Sequence, residues 1–156
     1  MPNANIFAQF GLFVRRGFLD AEACRLIRDT MASATRTRAL VRPVGQAAGV
    51  VDEQSRRTDV AEVPAATATL VADRLRAIQP EIAQHFRVQL SGCETLRFYI
   101  YEVGDFFAPH LDTYTDPLAP ENVKARQVSI SIFLNDGIGG PGCPPYSGGA
   151  LVLSVR

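Results

Sequence analysis

His110 and Asp112 stand two residues apart in the run Gly104-Asp105-Phe106-Phe107-Ala108-Pro109-His110-Leu111-Asp112. In an extended chain such residues face the same side, so an imidazole nitrogen and a carboxylate oxygen can take neighbouring positions around a divalent metal. That is two thirds of a two-histidine, one-carboxylate facial triad, an arrangement that leaves open coordination positions. Taken alone, a His-x-Asp tripeptide also reads as a solvated strand start. The other histidine, His85, sits between Gln84 and Phe86 at the end of a helical stretch, where a structural or surface role is expected. Tyr99 and Tyr101 share one face of a strand-like segment, and aromatic residues favour strands whether or not they bind anything.

The elements that must position these residues are legible in part. After Phe18, the residues Leu19, Ala23, Leu26, Ile27, Thr30, Met31 and Ala34 form a helical stripe. Asp20 is placed to cap that helix, with an apolar staple before it. Residues 36–62 lose all periodicity and read as irregular, with room for one short strand. Helical spacing returns from Ala65 through Leu70, Val71, Leu75 and Ile78, and Pro80 either kinks that helix or starts a new one carrying Ile82 and Phe86. The period then becomes two. Leu96, Phe98 and Ile100 alternate with Arg97, Tyr99 and Tyr101, and Val128, Ile130, Ile132 and Leu134 alternate with Ser129, Ser131 and Phe133. A third strand is expected to begin at Ala150, after a run rich in glycine and proline from Asn135 to Gly149. Asn135-Asp136 reads as a strand end opening a turn, and Gly148-Gly149 as a tight turn. Helices first and strands afterwards predict an α+β domain with an antiparallel sheet.

Composition narrows the function. The 156 residues, 47% apolar and 21% charged, suit one soluble domain, taken as residues 1–156 with 1–90 mainly helical support. Sixteen basic residues balance sixteen acidic ones, which removes the electrostatic footprint of a nucleic-acid or membrane-surface binder. Polypeptides and small molecules remain as substrates. Lys124 is the one lysine among the cations, a sign of compositional bias, and the mild +4 and −4 split between residues 1–57 and 58–156 names no partner. Cys24, Cys93 and Cys143 cannot all pair within the chain and form no CxxC, so a reducing compartment is expected. No apolar run approaches the ~20 residues of a membrane span, and no signal-peptide pattern opens the chain. The expected location is the cytoplasm.

A wider set of residues surrounds the His-x-Asp pair. In order, it comprises Tyr99-Ile100-Tyr101, Gly104-Asp105-Phe106-Phe107, Pro109-His110-Leu111-Asp112-Thr113, Val128 to Asp136, and Tyr146-Ser147-Gly148-Gly149-Ala150-Leu151. This set resembles the iron(II)/2-oxoglutarate-dependent dioxygenases of the prolyl 4-hydroxylase-like group. The Phe18-Leu19-Asp20 helix start and Arg56-Arg57-Thr58 extend the resemblance loosely over the whole chain. It implies a double-stranded β-helix, a jelly-roll relative, with the N-terminal helices packed on one sheet and residues 91–156 forming its first part. It implies iron(II) on His110 and Asp112, with no catalytic residue beyond the metal ligands, and 2-oxoglutarate beside Tyr101, with Tyr99 the weaker candidate. Phe133 stands where relatives place a second pocket aromatic. It also implies hydroxylation of a peptidyl proline, another protein residue or a small molecule, coupled to release of succinate and CO₂, with ascorbate as an auxiliary cofactor. Thr113–Ala125 is a candidate substrate-covering loop, or equally an ordinary exposed connection.

The sequence also departs from that pattern. Relatives carry a second iron-binding histidine and a carboxylate-pairing Arg or Lys downstream. Here no histidine follows Asp112, His85 precedes the motif, and Arg156 falls too early. The expectation is therefore a longer gene product, with the later strands of the β-helix missing from this chain and little activity in the chain alone. Two alternatives stay open: a non-catalytic remnant serving as a β-rich binding module, and a cupin-like metal enzyme of other chemistry.

Overall fold

The computed structural model describes residues 10–46, 48–112, 116–139 and 144–153. Helix α1 (Ala21–Ser33) begins where the sequence predicts. The Asp20 carboxylate accepts a hydrogen bond from the Ala23 amide at 2.8 Å, satisfying one of the donors a helix start leaves open. Its stripe buries Ile27 and Met31. Helix α2 (Ala65–Phe86) runs through Pro80 as one element, so Pro80 starts no new helix. Val71, Leu75 and Ile82 are buried along it. Their spacing of four and seven keeps them on one stripe, and packing on both sides of Pro80 offsets the hydrogen bond that the proline removes.

The segment read as irregular holds three strands: β1 (Arg36–Arg38), β2 (Arg56–Arg57) and β3 (Asp59–Ala61). They pair with β4 (Phe98–Ile100) and β5 (Phe106–Phe107). One antiparallel sheet has the order β1-β3-β4, with Val60 opposite both Thr37 and Tyr99. A second pairs β2 with β5, setting Arg56 opposite Phe107. The result is a mixed α+β structure with small antiparallel sheets, and the described residues close no barrel.

Residues 128–134 are not a strand, contrary to their alternation. Val128, Ile132 and Leu134 are half-buried while the residues between them, Ile130 included, are exposed, and Ile132 and Leu134 pack on the core. The period of two is present, but among the described residues no neighbouring backbone supplies the ladder that makes an extended segment a strand. Residues 150–153 are likewise exposed and unpaired. Asp136 opens a turn as read, accepting from the amides of Ile138 and Gly139, but it ends no strand, and Gly148 and Gly149 have positive φ without forming a turn. Within 113–125, residues 113–115 lie outside the described set, and a short helix, α3 (Glu121–Lys124), follows.

The core joins Leu19, Ile27, Met31, Ala61, Val71, Leu75 and Phe98. Thr58, fully buried, lies at the junction of β2 and β3. Its hydroxyl donates to the Ile100 carbonyl at 2.7 Å, and its own carbonyl accepts from Ala39 at 3.0 Å. Replacing Thr58 by valine keeps the shape but removes one of the hydrogen bonds to the Ile100 carbonyl, which Asp59 still faces across the pairing, so T58V should lose about 0.5–1.5 kcal/mol in urea unfolding, with Thr58→Ser retaining most of the wild-type stability.

Candidate functional site

Strand β4 leads through a turn into β5, and the turn sets the direction of everything after it. Asp105 donates its amide to the Glu102 carbonyl at 3.0 Å, closing the turn. Gly104 occupies its third position with φ +85°, where a side chain would be strained and would also meet the Arg57 guanidinium 2.9 Å away. Asp105 pairs with Arg57 at 3.3 Å, and Arg57 also donates to the Gly104 carbonyl. Strand β5 is thereby clasped to β2. Just beyond it, the Ala108 amide donates to the Ser55 carbonyl at 2.8 Å, which brings the chain to His110 in a defined path.

His110 is fixed on two sides. Its ring stacks on Phe107, with centroids 3.6 Å apart and planes 19° from parallel. Its Nδ1 lies 2.9 Å from the Ala108 carbonyl, an acceptor that favours a proton on that nitrogen. Its Nε2 lies 3.2 Å from Asp112 Oδ1. Two ligands at right angles on bonds of about 2.1 Å sit about 3 Å apart, so the pair fits two adjacent positions of one metal ion. A carbonyl on the far nitrogen is the usual partner that orients a ligating histidine. Among the described residues no third His, Cys, Asp or Glu joins them.

Asp112 is held from outside. Arg126 donates to the Asp112 carbonyl at 3.0 Å and grips Glu94 with contacts of 2.7 to 3.1 Å, while Asn122 of α3 donates to the same carboxylate at 3.0 Å. The Arg126 hydrogen bonds are the main reason the Glu94 carboxyl stays below the usual range. Asp116 is also lowered, chiefly because it accepts from the Gly45 and Leu118 amides.

The remaining candidates are placed unequally. Tyr99 on β4 lies over the guanidinium of Arg56, 4.2 Å from its Cζ. Phe107 lies the same 4.2 Å from that carbon. A chain of ring contacts therefore runs Tyr99, Arg56, Phe107, His110. Tyr101 follows the end of β4 and is 49% exposed. Phe133 is 58% exposed in the unpaired 128–134 segment, and among the described residues no ring contact joins it to the stack. His85 packs edge-on between Phe13 and Phe86, at 5.3 and 4.7 Å, as expected of a structural histidine. Cys24 is half-buried in α1, and burial raises its thiol pKa. A shallow cleft of about 330 Å³ between Arg28 of α1 and Tyr146 shares no lining residue with the stack. Residue patterning gave no role to Arg56 or Phe107; the signal was Arg56-Arg57-Thr58 itself, polar residues where a short strand must bury something.

No protein-family model matches the chain, and no solved structure matches it. Among curated proteins it is similar to a probable prolyl 4-hydroxylase 10 of Arabidopsis thaliana, 24% identical over 127 residues. The match takes in 79% of this chain and 40% of that protein, so the chain spans well under half the length of its relative. Among the described residues no helix is long and apolar enough to cross a membrane.

Lowered carboxyls stabilise the fold above the ordinary carboxylate pKa of about 4, and that stabilisation is lost as pH falls through the lower folded values. Glu94→Gln and Asp116→Asn should therefore each flatten the acid limb of a stability-versus-pH curve below about pH 4, read by thermal melts from neutral to strongly acidic buffer.

Proposed function

We propose that this chain carries metal- and cosubstrate-binding residues of an iron(II)- and 2-oxoglutarate-dependent hydroxylase acting on a peptidyl proline or another protein residue. The observation that carries the reading is the pair His110 Nε2 and Asp112 Oδ1, 3.2 Å apart with the imidazole already oriented. The similarity to a prolyl 4-hydroxylase supports it independently. Iron with 2-oxoglutarate and O₂ supplies the C–H hydroxylating power that no side chain has, releasing succinate and CO₂.

The chain's own residues have narrower tasks in this reading. His110 and Asp112 hold the metal, and the Ala108 carbonyl keeps the His110 proton on Nδ1 so that Nε2 is free to ligate. Phe107 holds the imidazole plane. Arg126, braced by Glu94, holds the Asp112 backbone. Tyr101 and Tyr99 each present a phenol that can donate to a cosubstrate carboxylate and orient it, while Phe133 supplies apolar packing. Ascorbate would serve as an auxiliary reductant. The fold belonging to this reading is a double-stranded β-helix, with β1-β3-β4 and β2-β5 as contributing strands.

Anaerobic titration of iron(II) with 2-oxoglutarate present should raise a weak visible charge-transfer absorption. His110→Ala and Asp112→Ala should each remove it, and Tyr101→Phe should weaken 2-oxoglutarate several-fold with the band retained. A wild-type chain that shows no band, or a band that survives both ligand substitutions, overturns the reading.

A further inference from the structure

Residues 127–135 carry no charged side chain, and the main-chain groups of residues 128–133 make no hydrogen bond among the described residues. Just past them, the Leu134 carbonyl accepts from Arg28 at 2.6 Å. The segment is anchored on one side only. Ile132 and Leu134 pack on the core, while Ile130 is 47% and Phe133 58% exposed. Valine, isoleucine and phenylalanine alternating with serine suit a strand, and a strand-like segment with an unpaired backbone is a template for another chain. Edges of that kind are ordinarily blunted by lysine, proline or a charge, and none of these stands between Gln127 and Asn135. The net charge of zero removes repulsion between whole molecules as well.

We propose that this chain self-associates as a two-fold symmetric dimer in which residues 128–134 of each copy pair as antiparallel strands. With the two-fold axis at Ser131, Val128 stands opposite Leu134 and Ile130 opposite Ile132, while Ser129 stands opposite Phe133 on the other face. Each inward apolar side chain thus meets another, and the exposed Ile130 lies beside an isoleucine that is already seated on the second copy's core. The flanks agree in the same register. Gln127 stands opposite Asn135, and Arg126 opposite Asp136 at both ends, so charge complementarity brackets a neutral strand pair. Arg126 also grips Glu94, which fixes where that end of the segment presents its guanidinium. A parallel pairing in register would instead set Arg126 against Arg126 and Asp136 against Asp136, which disfavours it. Because the same patch serves both copies, the interface closes at two. This association needs neither metal nor 2-oxoglutarate and does not rest on the hydroxylase reading.

Sedimentation velocity over a concentration series tests this. The protein should pass from monomer to dimer, with no larger species, between about 10 μM and 1 mM. Ser131→Lys sets two ammonium groups face to face at the axis and should weaken the dimer more than about tenfold. Ser131→Glu should do the same, and an equimolar mixture of the two variants should associate again. Ser131 is exposed in the single copy, so both variants should melt as the dilute wild type does. Asp136→Asn keeps an oxygen that can accept from the Ile138 and Gly139 amides, yet loses the pairing with Arg126, so it should weaken an antiparallel dimer and would strengthen a parallel one. Any one of five results overturns the proposal: a wild type that stays monomeric to about 1 mM or grows into open-ended oligomers, an S131K protein that dimerises as the wild type does, an S131K and S131E mixture that stays apart, or an Asp136→Asn protein that dimerises more tightly.

Discussion

The seven residues from Ser55 to Ala61 hold both sheets and the candidate site to one another. Ser55 receives the Ala108 amide, Arg56 and Arg57 pair with β5, Thr58 donates to the Ile100 carbonyl, and Asp59–Ala61 pair with both β1 and β4. One short stretch of backbone thus changes sheets without leaving its polar groups unpaired. Thr58 is the pivot, because at that residue the ladder to β5 stops and the ladder to β4 starts. Its hydroxyl adds a hydrogen bond to the Ile100 carbonyl, which also faces Asp59 across the β3-β4 pairing.

That segment is also where sequence patterning fails, for a physical reason. Strands are recognised by apolar residues every second position, but the inward positions here are Arg56 and Thr58, both buried. A guanidinium lying among aromatic rings and a threonine that donates to backbone bury well without looking apolar. The helices were legible because Ile27, Met31, Val71, Leu75 and Ile82 follow the helical period and Asp20 caps as its type suggests. Strand β4 was legible because Leu96, Phe98 and Ile100 alternate with Arg97, Tyr99 and Tyr101. Pro80 misled in one of its two readings, since burial on both sides of it is stronger than its local preference.

The opposite error occurs at 128–134. Alternation there reports which side chains turn inward, and Ile132 and Leu134 do reach the core. It says nothing about a hydrogen-bonded neighbour, and a strand needs one. Exposed Ile130, Phe133, Leu151 and Val152 are apolar positions of a pattern whose pairing the described residues do not contain. Within the candidate site the same division holds. The His-x-Asp spacing was readable because it depends on the chain's own period, whereas the stack that holds His110 was not, since Arg56 and Phe107 meet only through a cross-strand register.

That register makes stability and chemistry depend on one another. His110 Nε2 points where it does because Phe107 fixes the ring plane and the Ala108 carbonyl favours a proton on Nδ1. Phe107 is itself fixed by Arg56 across the strand pair. A buried guanidinium whose Nε has no acceptor is a poor choice for stability alone, and many uncharged side chains would fill that space at lower cost. The stack is therefore one structural unit: the cross-strand register that seats Arg56 between Tyr99 and Phe107 also fixes the plane of the His110 ring.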